Sequence, residues 1–301
     1  MNGRHRQVIA TISLMNQLPN LDHLLQTDWA NIELPDAWPD QLNWKMPWVH
    51  LRVFFKILGN KHERVRLPDG LIGADMLPKY MLQEFHNLPN GNYSKNLTKG
   101  YAKGFEDSMI GTLKQGRERL TQALGKAQRV LDVGSGAGNM AAALKTAGTV
   151  EVWALEPSPY LLQRAAITHR DLNIHWQQAL AEKTGMPDAS FDGISVCFLL
   201  HEIPPRYLRE ALAEFQRVVR TGGTLAILEP SDVQWYGSYR QMWRDYGLRG
   251  VYFKWLARKA HEPFVLAWHK QNVAELFAEY GFQVHTDDRG CPFRFIVAER
   301  T

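Results

Sequence analysis

Two carboxylates and three glycines carry the first hint of chemistry in this 301-residue chain. Asp132 lies two residues ahead of Gly134, Gly136 and Gly138 in the stretch Arg129-Val-Leu-Asp-Val-Gly-Ser-Gly-Ala-Gly-Asn139, and Glu156 closes a second apolar run at 150–155. Glycines at alternating positions let the backbone turn tightly and let a ligand approach with no Cβ in the way. A carboxylate at the end of the second strand can accept two hydrogen bonds from a ribose diol. The spacing also separates ligand classes. Dinucleotide folds use G-x-G-x-x-G, whereas this loop is G-x-G-x-G with Asn139 where the third glycine would fall. An acid at 132 is awkward beside a pyrophosphate and suits a cationic group such as an amino acid's ammonium.

Such a loop works only if a sheet holds it. Strand patterns fall at 129–133, 151–155, 173–177, 193–198 and 224–228, with helical periods between them at 138–147, 159–169 and 206–219. This alternation is that of an α/β parallel sheet, which binds ligands at the carboxyl ends of its strands. Thr221-Gly-Gly223 reads as the turn into the fifth strand. A helix at 270–280, stopped by Gly281, and strands at 282–286 and 293–298 complete seven strands. Between the fifth strand and that helix lies an aromatic insertion, 231–269. Residues 1–118 form an irregular N-terminal extension punctuated by Leu34-Pro-Asp-Ala-Trp-Pro39, Leu67-Pro-Asp-Gly70 and Leu88-Pro-Asn-Gly91. Within it, 46–58 reads as a buried helix or strand. Residues 97–124 read as helical, up to a stop at Gly125.

These motifs resemble those of class I S-adenosylmethionine (SAM)-dependent methyltransferases. V-L-D-V-G-S-G-A-G-N followed by A-L-E-P-S is similar to that superfamily's first two motifs. Met186-Pro-Asp-Ala-Ser-Phe-Asp192 resembles its approach to the fourth strand, and Leu200-His-Glu-Ile-Pro204 the segment after it. The resemblance covers 125–230 well and 270–300 in outline, and is nearest the small-molecule branch that includes ubiquinone and menaquinone methyltransferases. It implies a Rossmann-like, seven-stranded, mostly parallel sheet with helices on both faces, and SAM as methyl donor, leaving S-adenosylhomocysteine. It further implies that Asp132 and Gly134 face the methionine part and that Ser135, Gly136, Gly138 and Asn139 shape the loop. Glu156 would bind the ribose, with Pro157 and Phe198 beside the cofactor. One position departs from the pattern. Leu180-Ala181 stand where many relatives place an Asp on the adenine amino group, which leaves adenine to backbone groups and packing, or to a shifted Gln178 or Glu182.

Methyl transfer asks for proximity, orientation and removal of water, and for a base when the acceptor carries a proton. His201, beside Glu202 at the end of the fourth strand, is one candidate base. A second cluster, 85–94 with Tyr101, supplies His86 and Tyr93 as polar groups on aromatic bodies suited to a lid. The insertion, rich in Trp and Tyr, is expected to complete a pocket formed by 80–110, 198–205 and 230–270, for a small, aromatic or apolar acceptor. Residues 248–260 mix Arg and Lys with aromatics, the pattern of a solvated helix face or of a peripheral membrane contact.

Bulk composition sets the remaining expectations. A net charge of +4 with interspersed acids lacks the basic tract of a nucleic-acid binder. The segment after the fourth strand carries no Asn-Pro-Pro-aromatic or Pro-Cys motif of base-modifying enzymes. Two cysteines, Cys197 and Cys291, are too few for a disulfide framework or a thiolate metal site, and the histidines lack ligand spacing, so no metal is expected. The apolar stretch 8–14 after Arg4, His5 and Arg6 does not read as a signal peptide, so the cytoplasm is the expected compartment. The extension is free to act as a cap or as a homodimer contact. A nucleic-acid or protein methyltransferase, and a non-catalytic SAM-fold binding protein, are the competing functional readings.

Overall fold

A computed structural model of the chain describes residues 18–24, 27–58 and 62–301. The 8–14 stretch lies outside them. Seven strands form one sheet: β1 (Arg129–Val133), β2 (Glu151–Leu155), β3 (His175–Gln177), β4 (Phe191–Cys197), β5 (Val219–Pro230), β6 (Phe282–Arg289) and β7 (Phe293–Arg300). Their order is β3-β2-β1-β4-β5-β7-β6. The first five pair in parallel, while β7 runs antiparallel to both β5 and β6. The order reverses between β1 and β4, and the carboxyl ends there form the crevice where α/β sheets take ligands.

Alternation along each strand sends side chains to opposite faces. Leu131, Val133, Trp153, Ile194 and Ile227 join a core on one face, and Val130, Val152, Ala226 and Leu228 one on the other. The helices cover both faces. α6 (Pro205–Val218) supplies Leu208, Ala211, Leu212 and Phe215 to the first core. α3 (Thr112–Ala123) and α4 (Asn139–Thr146) supply Leu120, Met140 and Leu144 to the second. α5 (Pro159–Thr168) follows β2, its N-terminus capped by the Ser158 side chain.

Four elements depart from the sequence pattern. Residues 97–124 are two helices, α2 (Lys95–Ser108) and α3, separated by Ile110 and Gly111 at positive φ. The break lets α3 pack on the sheet while α2 turns toward the crevice. The Thr221–Gly223 stretch lies inside β5, where pairing with β4 shifts register between Phe191 and Gly193, rather than in a turn. The expected helix at 270–280 is the short α10 (Val273–Ala278). The 46–58 segment forms helix α1 (Pro47–Leu58), but Trp48, Leu51, Phe54 and Phe55 face outward, not into a core.

The insertion after β5 folds as α7 (Asp232–Tyr236), α8 (Tyr239–Lys259, broken at Gly247) and α9 (Val265–His269). The extension builds a smaller core from Leu34, Val65, Leu71, Leu77 and Tyr93, closed by Tyr160 of α5. It therefore packs directly on the helix that follows the second strand. No helix among the described residues is long and apolar enough to cross a membrane.

Candidate active site

The crevice opens into a cavity of about 160 Å³. Gly134, Ser135, Gly136, Asn139, Glu156, Pro157 and Phe198 line it. An adjoining smaller cavity is lined by Leu180, Ala181, Pro157 and Leu199. Residues predicted to hold one cofactor are thus brought to one place. Gly138 contributes differently: at φ 84 it caps α4, and a Cβ there would lie 2.5 Å from Trp176.

Glu156 fastens the loop. Its Oε2 accepts from the Gly136 amide at 3.0 Å and its Oε1 from the Ser158 amide at 2.9 Å. Gly136 sits at φ 53 with nothing within 4 Å of where a Cβ would be, so the open space begins at the backbone itself. Asp132 lies one layer beneath the cavity wall. Its Oδ1 accepts from the Ser195 hydroxyl at 2.5 Å, while its Oδ2 and the Ser135 hydroxyl are buried without a hydrogen-bond partner. Burial pushes both carboxyls up to about 7, against the lowering pull of the Ser195 hydroxyl on Asp132 and of the Ser158 and Gly136 amides on Glu156. The Glu156 carboxylate and the unpartnered Ser135 hydroxyl, both in the cavity wall, suit a ligand that brings hydroxyl groups, with the Asp132 carboxyl behind them.

Two residues escaped the sequence reading. Arg117 donates to both oxygens of Glu106, at 2.6 and 3.0 Å, and Asn139 Nδ2 donates to Glu106 Oε1 at 2.9 Å. All three line the cavity. Arg117 and Glu106 belong to helices on either side of the Ile110–Gly111 break, and a continuous helical reading cannot bring them together.

The candidate bases fall differently from expectation. The 3-10 turn Leu200–Glu202 points His201 inward and Glu202 outward. His201 is fully buried and is absent from the cavity wall. Its Nδ1 is 2.6 Å from Glu229 Oε2, and Glu229 also accepts from the amides of Leu199, Leu200 and His201. Burial disfavours charge on this imidazole, yet the Glu229 and Glu262 carboxylates hold it well above the usual histidine range. His201 therefore ties the end of β4 to β5 rather than facing a substrate.

His86 does reach the cavity. Its Nε2 is 2.7 Å from Glu202 Oε1, and its Nδ1 is 3.8 Å from Glu262 Oε1. Its backbone is left-handed (φ 55), a costly conformation for a residue with a Cβ, and its N–H donates a hydrogen bond to the His261 carbonyl at 3.0 Å. Burial acts against the imidazolium, but Glu202 and then Glu262 raise its pKa above the ordinary value. Tyr101 stacks on it at 5.2 Å, Phe105 follows at 5.8 Å from Tyr101, and Phe198 at 5.5 Å from Phe105. Tyr93 is also in the wall, with its hydroxyl unpartnered; burial and the Glu156 charge raise its pKa.

Residues 231–269 contribute nothing to the cavity wall, contrary to the expected pocket. The insertion reaches the site from behind the wall, through the His261 and Lys259 carbonyls that accept from His86 N and Asn87 Nδ2 at 3.0 Å each, and through Glu262, which lies between His86 and His201 at 3.8 and 3.7 Å. Gln178 bonds the Ile72 and Pro157 carbonyls, and Glu182 accepts from Tyr80, so both are already engaged. Among the described residues, no cluster of three His, Cys, Asp or Glu is placed to hold a metal ion.

Residues 130–223 match the family model described as "Methyltransferase domain". This stretch of the chain carries a methyltransferase domain. Similar curated proteins include the ubiquinone/menaquinone biosynthesis C-methyltransferase of Bordetella avium, 32% identical over 50% of this chain and 62% of that protein. The 27-O-demethylrifamycin SV methyltransferase of Amycolatopsis mediterranei is 31% identical over 48% of this chain and 54% of that protein. The chain thus spans little more than half the length of these relatives. Human N-acetylserotonin methyltransferase in complex with SAM shares the fold, with a TM-score of 0.50 at 15% identity over 69% of this chain and 56% of that one. The open backbone at Gly136 and the Glu156 carboxylate beside it would fit the ribose of SAM, with Asp132 behind the wall.

Proposed function

We propose that this protein moves a methyl group from SAM to a small aromatic or apolar acceptor whose reacting atom carries a proton. The observation that supports this most is the row Tyr101, Phe105 and Phe198 beside the His86–Glu202 pair, in the same cavity as the glycine loop. The similar proteins are named for ubiquinone/menaquinone biosynthesis and for a demethylrifamycin, in keeping with a small-molecule acceptor.

When bound, SAM supplies a methyl group on a sulfonium, open to in-line displacement. The chain's own residues do the rest. Glu156 would bind the ribose hydroxyls while keeping the loop closed through Gly136. The Glu106–Arg117 pair in the wall, with Asp132 one layer behind, would face the ammonium and carboxylate of the amino-acid end. The aromatic row orients a flat acceptor and keeps water away. The His86–Glu202 pair takes up the acceptor's proton, the imidazole having first shed its own.

Release of S-adenosylhomocysteine, measured with SAM and a panel of phenols, quinols and amines, tests the reading. An acceptor is expected among the aromatic compounds, with His86→Ala lowering kcat/KM by about 10²–10⁴ and leaving SAM affinity nearly unchanged. Wild-type turnover in that variant would remove the base from the proposal. No calorimetric binding at millimolar SAM would remove the whole of it.

A further inference from the structure

α1 exposes a dense apolar surface. Trp48, Leu51, Phe54 and Phe55 are each more than half exposed (57, 55, 54 and 61%). Spacings of three, four and seven residues put Trp48, Leu51 and Phe55 on one helix face, with Phe54 beside them. The opposite side is anchored: Val49 is buried, and Lys56 donates to Glu84 at 2.9 Å. Glu84 in turn accepts from the amides of Glu63 and Asn90. The helix is therefore fixed to the turn that delivers His86 into the cavity, with its aromatics turned out to water.

Charge distinguishes the partners this face fits. Along and beside the helix stand Lys45, Arg52, Arg64 and Arg66 against Glu63, with Lys56 already paired to Glu84. Trp, Phe and Leu on one face of a short helix with a basic flank is the composition that lies in the plane of a lipid headgroup layer. A helix of 12 residues is about 18 Å long, too short to cross ~30 Å of hydrocarbon. A second copy of the chain would bring the same basic flank against itself. The basic helix α8 turns one side inward, with Phe253 and Lys254 buried and Arg258 and Lys254 directed to the Trp235 carbonyl at 3.0 and 3.4 Å, while Trp243, Leu248 and Trp255 stay exposed.

We propose that the outer face of α1, with its basic flank, docks on the surface of an anionic lipid bilayer. His62 stacks on His261 at 3.5 Å, just past the end of α8, so docking would bring the junction of extension and insertion, next to His86, to the lipid surface. An acceptor dissolved in the bilayer would then reach the cavity without crossing water. The docking needs no catalysis and stands apart from the reaction.

Flotation of the full chain with vesicles tests it. The chain is expected to rise with phosphatidylcholine–phosphatidylglycerol vesicles, to rise about tenfold less with phosphatidylcholine alone, and to be released by added salt. Phe54→Glu combined with Phe55→Glu should cut flotation by about tenfold or more; calorimetric SAM binding equal to wild type would show that the variant is folded. Three results overturn the proposal: no flotation with the anionic vesicles, equal flotation with both lipids, or a variant that floats like wild type. A concentration-dependent dimer in analytical ultracentrifugation that the variant abolishes would assign the face to a second copy instead.

Discussion

Asp132 and Glu156 hold protons more tightly than ordinary carboxyls because burial strips their charge of water, which pushes each up to about 7. A raised acid favours the protonated form in the folded chain, so the two groups destabilise the unliganded protein as pH rises toward 7. A ligand bringing an ammonium, a sulfonium and ribose hydroxyls reverses that preference by stabilising the ionised carboxylates. SAM should therefore bind more tightly at pH 8 than at pH 6, by about tenfold for each carboxylate that must ionise, with proton uptake by the buffer. Titration calorimetry in buffers of different ionisation enthalpy reads both. The pH dependence should shrink in Asp132→Asn and in Glu156→Gln; a flat profile in wild type would show that both carboxyls are already ionised before binding.

At the scale of elements, the turn after β4 decides which of two neighbouring residues meets the cavity. Leu200-His-Glu202 was legible as a segment with chemistry, but a 3-10 turn can point either side chain inward, and only the presence of Glu229 on β5 settles it. The strands were legible because continuous apolar runs and glycine stops are local signals. The partnerships Glu106–Arg117 and His86–Glu202 were not, since they join residues on separate helices and 116 positions apart. His201→Ala should leave Glu229 buried with its backbone donors alone and cost about 3 kcal/mol, read as a lower urea midpoint with unchanged slope. Because His201 is held well above its ordinary value, its contribution is complete below about pH 6.5 and disappears only as pH rises through the raised value. The gap between wild type and variant should therefore persist at neutral pH and close on the alkaline side.

Across the whole molecule, the site is a junction of three parts that the sequence presents as separate textures. The sheet supplies the glycine loop, Glu156 and His201; the extension supplies His86, Tyr93 and Tyr101; the insertion supplies Glu262. Composition predicted that the insertion would wall the pocket through its aromatics. Instead it meets the extension from behind, through the His261 and Lys259 carbonyls and through the Glu262 carboxylate, with His86 3.8 Å away on one side and His201 3.7 Å away on the other. Burial raises the pKa of Glu262, but the two imidazoles outweigh it and hold the group below its usual value. Its ionic hold is present above the ordinary glutamate range and is lost as pH falls through the lowered value. Glu262→Gln keeps the shape and removes the charge. Hydrogen exchange at neutral pH should then quicken in 85–94 and 260–269 while β1, β4 and β5 keep their protection. SAM affinity should fall less than in Glu156→Ala, because Glu262 touches no residue of the loop. Equal exchange in variant and wild type would mean that extension and insertion are held by their own packing, and that the carboxylate between the histidines serves only to set the charge on His86.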